Sequence, residues 1–149
     1  MAPEIFFDTS ALFSGIISSR GAARVLLVLA QMQRIRISIS LQVTVEMERA
    51  LSRKAPEAIS RYRQILDDAH IQVHPDPDPG EVRAREGLIS HKEDLPILTA
   101  AVLCQTDFLV THNRLHFIED PSVSEKSGLR IGSPGDALAW VRGKLKETG

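Results

Sequence analysis

The chain has 149 residues, 43% of them hydrophobic and 25% charged, values that fit one globular domain over residues 1–149 and exclude a disordered or fibrous polypeptide. Lysine and arginine together number 18 and aspartate and glutamate 19, a net charge of -1. That excludes a protein that coats nucleic acid through bulk positive charge, while leaving room for a local basic groove.

In chain order, Ile5-Phe6-Phe7 reads as a short strand that ends at Asp8, and Asp8, Thr9 and Ser10 are good caps for a helix over 11–17. Residues 22–32 form an apolar helical stretch whose only charge is Arg24. Residues 35–39 (IRISI) alternate with period two, a second strand. Ser40 sits at the N-cap of a helix carrying Val43, Met47, Ala50 and Leu51 at helical spacing. Pro56 opens a helix through 69, with Ile59, Tyr62, Ile65 and Leu66 on one face. Residues 70–74 (HIQVH) read as a third strand. The extended run His74-Pro75-Asp76-Pro77-Asp78-Pro79-Gly80 reads as a connector inside one domain, since a boundary there would leave halves too small. A polar helix is expected over 81–91, and Asp94-Leu95-Pro96 caps and opens another over 97–105. Phe108 to Thr111 is a compact strand and Leu129 to Ile131 a weaker one. Ser133-Pro134-Gly135-Asp136 starts a last helix through 146.

Strands separated by helices imply an α/β fold with a parallel sheet covered on both faces. Ligands of such sheets bind beyond the carboxyl ends of the strands. Asp8 follows the first strand, and Glu46 lies near the second turn of the helix after the second. Asp94 opens the helix before the fourth strand and Asn113 follows that strand, so all four fall at the same edge. Glu48, rotated about 200° from Glu46 on the helix, is the acid that faces solvent. Glu93 stands beside Asp94 as a substitute. Asp107 precedes its strand and is expected at the opposite edge. Taken singly, each residue also has a bland role: a helix cap for Asp8 and Asp94, a surface ion pair for Glu46, a turn for Asn113. Together, three carboxylates crowded in one place must either take up protons or share a cation. An all-oxygen set suits Mg²⁺ or Mn²⁺, not zinc, and an ion so held acts on phosphodiesters through activated water.

The stretches Ile5-Phe6-Phe7-Asp8-Thr9-Ser10-Ala11-Leu12, Ser40 with Glu46-Met47, residues 93–101 (EDLPILTAA) and residues 107–117 (DFLVTHNRLHF) resemble, in order and spacing, the four motifs of PIN-domain nucleases. The resemblance covers residues 4 to 118, and the final strand and helix also fit. It implies a PIN-like three-layer α/β/α sandwich around a mainly parallel sheet of about five strands. It implies a Mg²⁺- or Mn²⁺-dependent endoribonuclease, often the VapC-like toxin of a toxin–antitoxin pair, commonly a dimer and silenced by an antitoxin peptide. Asp8, Glu46, Asp94 and Asn113 would be its catalytic and metal-binding residues. The family often has aspartate where this chain has Asn113, which keeps an oxygen ligand and loses a charge. The alternative is therefore a weak or inactive PIN-like domain acting as an RNA- or protein-binding module.

Around this set, Thr9, Ser10 and Thr111 are expected to hold water or substrate. Arg114 is the foremost phosphate contact among the cations Arg20, Arg24, Arg49, Arg53, Lys54 and Arg114 that flank the edge. His112 and His116, four apart but outside a regular helix, are not expected to form a zinc pair. His91 is a candidate assistant to Asp94, and His70 and His74 flank a strand. Cys104, the single cysteine, reads as a small core residue and excludes an internal disulfide. A haloacid-dehalogenase phosphatase would need an aspartate where Ser10 stands, and a receiver domain a lysine after the last strand, which residues 129–133 lack. No apolar run approaches the roughly 18 residues of a membrane span, and Glu4 and Asp8 do not suit a secretory signal. A soluble cytoplasmic protein with no membrane partner is the expectation. The apolar stretch 22–32 adds to the resemblance in pointing to a homodimer.

Overall fold

A computed structural model describes residues 1–148. It contains β1 (Glu4–Phe7), α1 (Thr9–Ile17), α2 (Ala22–Gln31), β2 (Arg36–Ser40) and α3 (Leu41–Lys54), followed by α4 (Ile59–Asp68), β3 (Gln72–His74) and α5 (Pro79–Arg83). Then come α6 (Leu95–Leu103), β4 (Phe108–Val110), α7 (Pro121–Ser127), β5 (Arg130–Gly132) and α8 (Pro134–Thr148). The strands form one sheet in the order β3-β2-β1-β4-β5, and every adjacent pair is parallel. Parallel neighbours require crossovers, and helices supply them, so the sheet is sandwiched as the α/β/α architecture requires. In one helical group α1 touches α2, α3 and α4, and α2 touches α8; in the other, α6 packs on β2 and α5 on α6.

β1 is the middle strand, and Ile5, Phe6 and Phe7 are wholly buried because a parallel strand is covered on both faces. The core continues through Ile37 and Ile39 of β2, Leu109 and Val110 of β4, and the inner faces of the helices (Leu12, Leu26, Met47, Leu98, Val141). The chain bends by 87° between α1 and α2. At Gly15 a Cβ would lie 2.8 Å from Leu27 Cδ1, so any larger residue there would force Leu27 to shift, and glycine lets the two helices approach closely. Most of the apolar surface of α2 is spent inward on Ala23, Leu26, Leu27 and Ala30, while Val28 and the adjoining Met32 remain exposed.

Three helices end alike. Gln33, His70 and Gln105 have φ of 59°, 52° and 55°, left-handed values, each one step before the chain turns toward a strand. The next amide reaches back in each case: Arg34 N to Leu29 O, Ile71 N to Leu66 O and Thr106 N to Ala101 O. This is the six-to-one closure of a helix C-terminus, here without glycine. His70 therefore belongs to a turn, and the third strand is shorter than 70–74.

The polar helix expected over 81–91 is not continuous. α5 stops at Arg83, Glu86–Leu88 and Lys92–Asp94 are single 3-10 turns, and Ile89 is extended with its side chain buried. Burying one apolar residue in a polar stretch outweighs helix propensity there. The sequence reading also left α7 unassigned. Asp120 caps it, accepting from Ser122 N at 3.0 Å and Ser122 Oγ at 2.6 Å, which holds its carboxyl below the usual value, and Gly128 closes it at φ 76°. Cys104 is half-buried at the edge of the core, and burial raises its thiol, with Glu4 adding to the effect. That is the opposite of an activated cysteine.

Tyr62 is 1% exposed, its hydroxyl has no hydrogen-bond partner, and burial pushes its pKa up to about 12. Replacing it with Phe removes an unsatisfied polar atom at nearly constant shape. The Tyr62→Phe protein should be at least as stable as the parent, by up to about 1 kcal/mol, read as a higher urea midpoint at unchanged slope.

Candidate functional site

The carboxyl edge of the sheet gathers the side chains that the sequence singles out. Asp8 is extended (φ -78°, ψ 175°) and continues β1 by donating its N–H to Val110 O at 3.1 Å. Phe7 pairs with Val110 and Phe6 with Ser38, so continuing the same registers, by one step toward β4 and two toward β2, sets Asp8 between Thr111 and Ser40. Residues in register on parallel strands project to the same face. Ser40, Asp8 and Thr111 thus form a row of oxygen side chains across three strands.

Asp8 is 6% exposed. Its Oδ1 caps α1 by accepting from Ala11 N at 2.9 Å and accepts from Ser10 Oγ at 2.7 Å; its Oδ2 accepts from Thr111 Oγ1. Burial nevertheless wins, and the Asp8 carboxyl is raised above the usual value despite those donors. The cap expected at Asp8 is present together with its place at the carboxyl edge, because its two oxygens serve different neighbours, Ala11 N and Thr111 Oγ1.

Glu46 sits half-buried on α3. Thr9 Oγ1 donates to its Oε1, and Gln42 Nε2 donates to its Oε2 at 3.1 Å. Glu48 pairs with Arg63 at 3.3 Å, the surface ion pair that Glu46 does not make. Ser40 makes no side-chain cap for α3; Asp76 Oδ1 does so, accepting from Gln42 N at 2.8 Å. The proline-rich run thereby straps across the start of the Glu46 helix. The Ser40 hydroxyl is left buried without a partner.

Asp94 does not cap α6 with its side chain either. Its Oδ2 lies 2.5 Å from His116 Nδ1. Asn113 accepts from His116 N at 3.1 Å through Oδ1, and its Nδ2 lies 3.1 Å from the same His116 Nδ1. Asn113 N donates to Thr111 Oγ1 at 2.9 Å. A continuous chain of contacts therefore runs from Asp94 through His116, Asn113 and Thr111 to Asp8, and on through Ser10 to the His112 amide at 2.9 Å. Glu46 joins beside it through Thr9, the neighbour of Asp8. Among the described residues, the histidine and carboxylate donors that come within 4.8 Å of one another are His91, Asp94 and His116; Asp8 and Glu46 are not in that set. Sequence reasoning missed His116 because its Asp94 contact joins residues 22 positions apart, with no repeating spacing to mark it. It missed Asp76 because a proline-rich stretch reads as a spacer.

The supporting residues sort differently from expectation. Thr111 has no exposed surface, and its hydroxyl is engaged twice, donating to Asp8 Oδ2 and accepting from Asn113 N. Thr9 and Ser10 spend their hydroxyls on Glu46 and Asp8. Arg24 is not a free cation: its guanidinium donates to Gly15 O at 2.6 Å and Ile16 O at 2.8 Å, closing the C-terminus of α1. Arg114 is exposed, 3.8 Å from Glu119. Asp107 lies at the opposite edge, its Oδ2 accepting from Glu4 N at 2.8 Å. His112 turns away from His116, its Nε2 2.9 Å from Ser14 Oγ, and His74 Nε2 lies 3.1 Å from Ser38 Oγ.

Residues 4–115 match the model of the PIN domain family. Among solved structures, the chain is similar to VapBC2 from Rickettsia felis bound to a DNA fragment from their promoter, with 21% identity and a TM-score of 0.61 over 87% of this chain and 98% of that one. It is also similar to PAE2754 from Pyrobaculum aerophilum, with 22% identity and a TM-score of 0.64 over 96% and 92%. At such identities the likeness is one of fold. No curated protein matches the chain.

A raised Asp8 carboxyl means that the folded state binds its proton more readily than the unfolded one. The ionised side chain thus weakens folding above its folded pKa, and the penalty fades as pH falls toward the ordinary carboxylate range. In metal-free protein, Asp8→Asn should raise the melting temperature at pH 7. The gain should shrink steadily below the folded pKa and vanish near pH 3, as followed by calorimetry across a pH series.

Proposed function

Since the chain belongs to the PIN domain family, we propose that it is a divalent-metal-dependent endoribonuclease that hydrolyses RNA phosphodiester bonds, with residues 1–149 as one catalytic domain. The observation that carries this reading is the linked row of oxygen side chains at the carboxyl edge, with Asp8 buried at its centre. A buried carboxylate favours positive charge nearby, and the buried Ser40 hydroxyl in the same row has no protein partner, so the donor set fits a hard cation. Asp8, Glu46 and Asp94, with Asn113, are the residues that would hold Mg²⁺ or Mn²⁺. Such an ion supplies Lewis-acid charge to a phosphodiester and to the water that attacks it.

The rest of the work falls to the chain itself. Thr111, Ser10 and the Ala11 amide aim the Asp8 oxygens, and Thr9 and Gln42 do the same for Glu46. The Asp76 cap fixes where α3, and hence Glu46, begins. Arg114, exposed one residue beyond Asn113, is the proposed phosphate contact. With a fold like that of VapBC2, the chain is read as the toxin of a toxin–antitoxin pair, with an antitoxin protein as partner, and is assigned to the cytoplasm. Val28 and Met32, exposed on and beside α2, support a homodimer.

A second reading has one observation in its favour. The Asn113 oxygen, the neutral stand-in for a carboxylate, is already used by the His116 amide. A domain that binds RNA or a protein without cutting would show this economy.

Cleavage of a fluorescent RNA by purified protein should need Mg²⁺ or Mn²⁺ and should fall at least about 100-fold in Asp8→Asn and in Asp94→Asn, in the range that electrostatic groups at reacting centres supply. RNA retention without any metal-dependent cleavage would support the binding module instead. Arg114→Ala should weaken RNA binding and lower the slope of log affinity against log salt by roughly 0.7 for single-stranded RNA. Sedimentation equilibrium should return twice the chain mass; a monomer mass at every concentration would remove the dimer.

A further inference from the structure

His91 and Asp94 stand at the two ends of one 3-10 turn, Lys92–Asp94, with the Asp94 N–H donating to His91 O at 3.0 Å. Three residues make one turn of such a helix, so positions i and i+3 eclipse and their side chains share a side. The turn is pinned at both ends, by Ile89 before it and Leu95 after it, both buried. His116 comes from the π turn Arg114–Ile118, which Phe117 anchors in the core and the Asn113 side chain caps. Two anchored turns therefore present three ligand-type side chains to one another, all within 4.8 Å. Asp94 and His116 are largely buried, with side chains 18% and 21% exposed.

The contacts around His116 Nδ1 do not balance. Asn113 Oδ1 is committed to the His116 amide, so Asn113 turns its Nδ2 donor toward Nδ1 at 3.1 Å. The same Nδ1 lies 2.5 Å from Asp94 Oδ2, which as a carboxylate only accepts. One ring nitrogen cannot accept from Asn113 and donate to Asp94. An Nδ1–H bond to Asp94 satisfies that pair, and a cation can take the place of this proton, with the ring nitrogen and the carboxylate oxygen as two of its ligands.

We infer that His91, Asp94 and His116 bind a divalent transition-metal ion of the Co²⁺, Ni²⁺ and Zn²⁺ class in preference to Mg²⁺. Two imidazoles and one carboxylate are borderline donors. Affinity for such sets rises steeply along the first-row metals, and Mg²⁺, which holds its water tightly and prefers oxygen, competes poorly. The site overlaps the proposed nuclease set at Asp94 alone, and it does not depend on RNA hydrolysis. His91 and His116 now stack, with ring centroids 3.4 Å apart and planes at 12°. In-plane lone pairs of parallel rings do not meet at one point, so uptake of the ion opens the stack.

The test uses the untagged full chain, stripped of metal with chelator and then titrated with Co²⁺. Co²⁺ should bind at one ion per chain, seen as visible d–d absorption and by calorimetry, and a hundredfold excess of Mg²⁺ should not displace it. His91→Ala and His116→Ala should each weaken Co²⁺ binding by at least about tenfold, given that even outer contacts of metal ligands contribute on that scale. Asp8→Asn should keep the Co²⁺ spectrum while losing RNA cleavage, which separates this site from the proposed nuclease set. Histidine NMR on the wild-type chain needs no variant: Co²⁺ should shift the His91 and His116 rings directly and leave His70, at the far edge, in place. Displacement by equimolar Mg²⁺, unchanged affinity in the two histidine variants, loss of binding in Asp8→Asn, or Co²⁺ shifts that spare His91 and His116 would each overturn the inference.

Discussion

A carboxylate kept out of water at the end of the central strand is the constraint from which the rest follows. Asp8 is where it is because β1 is hydrogen-bonded on both sides and buried on both faces, which leaves its next residue little exposure to solvent. Stranding a charge there is unfavourable, and the surrounding donors are the response: Thr111 from β4, Ser10 and the Ala11 amide from α1. They reduce the penalty without abolishing it. The residual preference for positive charge at that point is an electrostatic demand built in by the fold, before any ligand is considered.

From Asp8 the same logic propagates outward. Thr111 can hold Asp8 because its own hydroxyl is oriented by the Asn113 amide, and Asn113 in turn sets the His116 backbone. Asp94 reaches this chain only because its side chain forgoes capping α6. On the other flank, Glu46 is steadied by Thr9 and Gln42, and α3 is capped by Asp76. Two donor chemistries consequently lie side by side along one edge: oxygen alone around Asp8, oxygen with imidazole nitrogen around Asp94. A hard ion and a borderline ion read that edge differently.

Much of this was legible in the sequence. The apolar strand Ile5 to Phe7 followed by Asp8, the alternation at 35–39 and the Asp94-Leu95-Pro96 start placed four polar residues at one sheet edge, because strand period and helix caps are local signals. What was illegible is long-range or compensatory. Nothing near Ser40 says that Asp76, 34 residues from the amide it binds, will cap its helix in its place. Nothing near Arg24 says that its guanidinium will close α1 and be lost to any ligand. The expected helix over 81–91 failed because a single residue, Ile89, had core volume to fill. α7 was overlooked because its stop is a lone left-handed glycine at Gly128 and its start an aspartate-proline pair in a polar stretch, signals with no apolar stripe to announce them.

The left-handed turns at Gln33, His70 and Gln105 carry a consequence for how this molecule can change. All three precede strands and so lie at the amino edge, the width of the sheet away from Asp8. Each holds a side chain in a backbone shape that glycine adopts freely. The fold thus keeps its slack on one rim and its chemistry on the other. Glycine at any of the three would relieve the backbone on that rim without touching a side chain on the other.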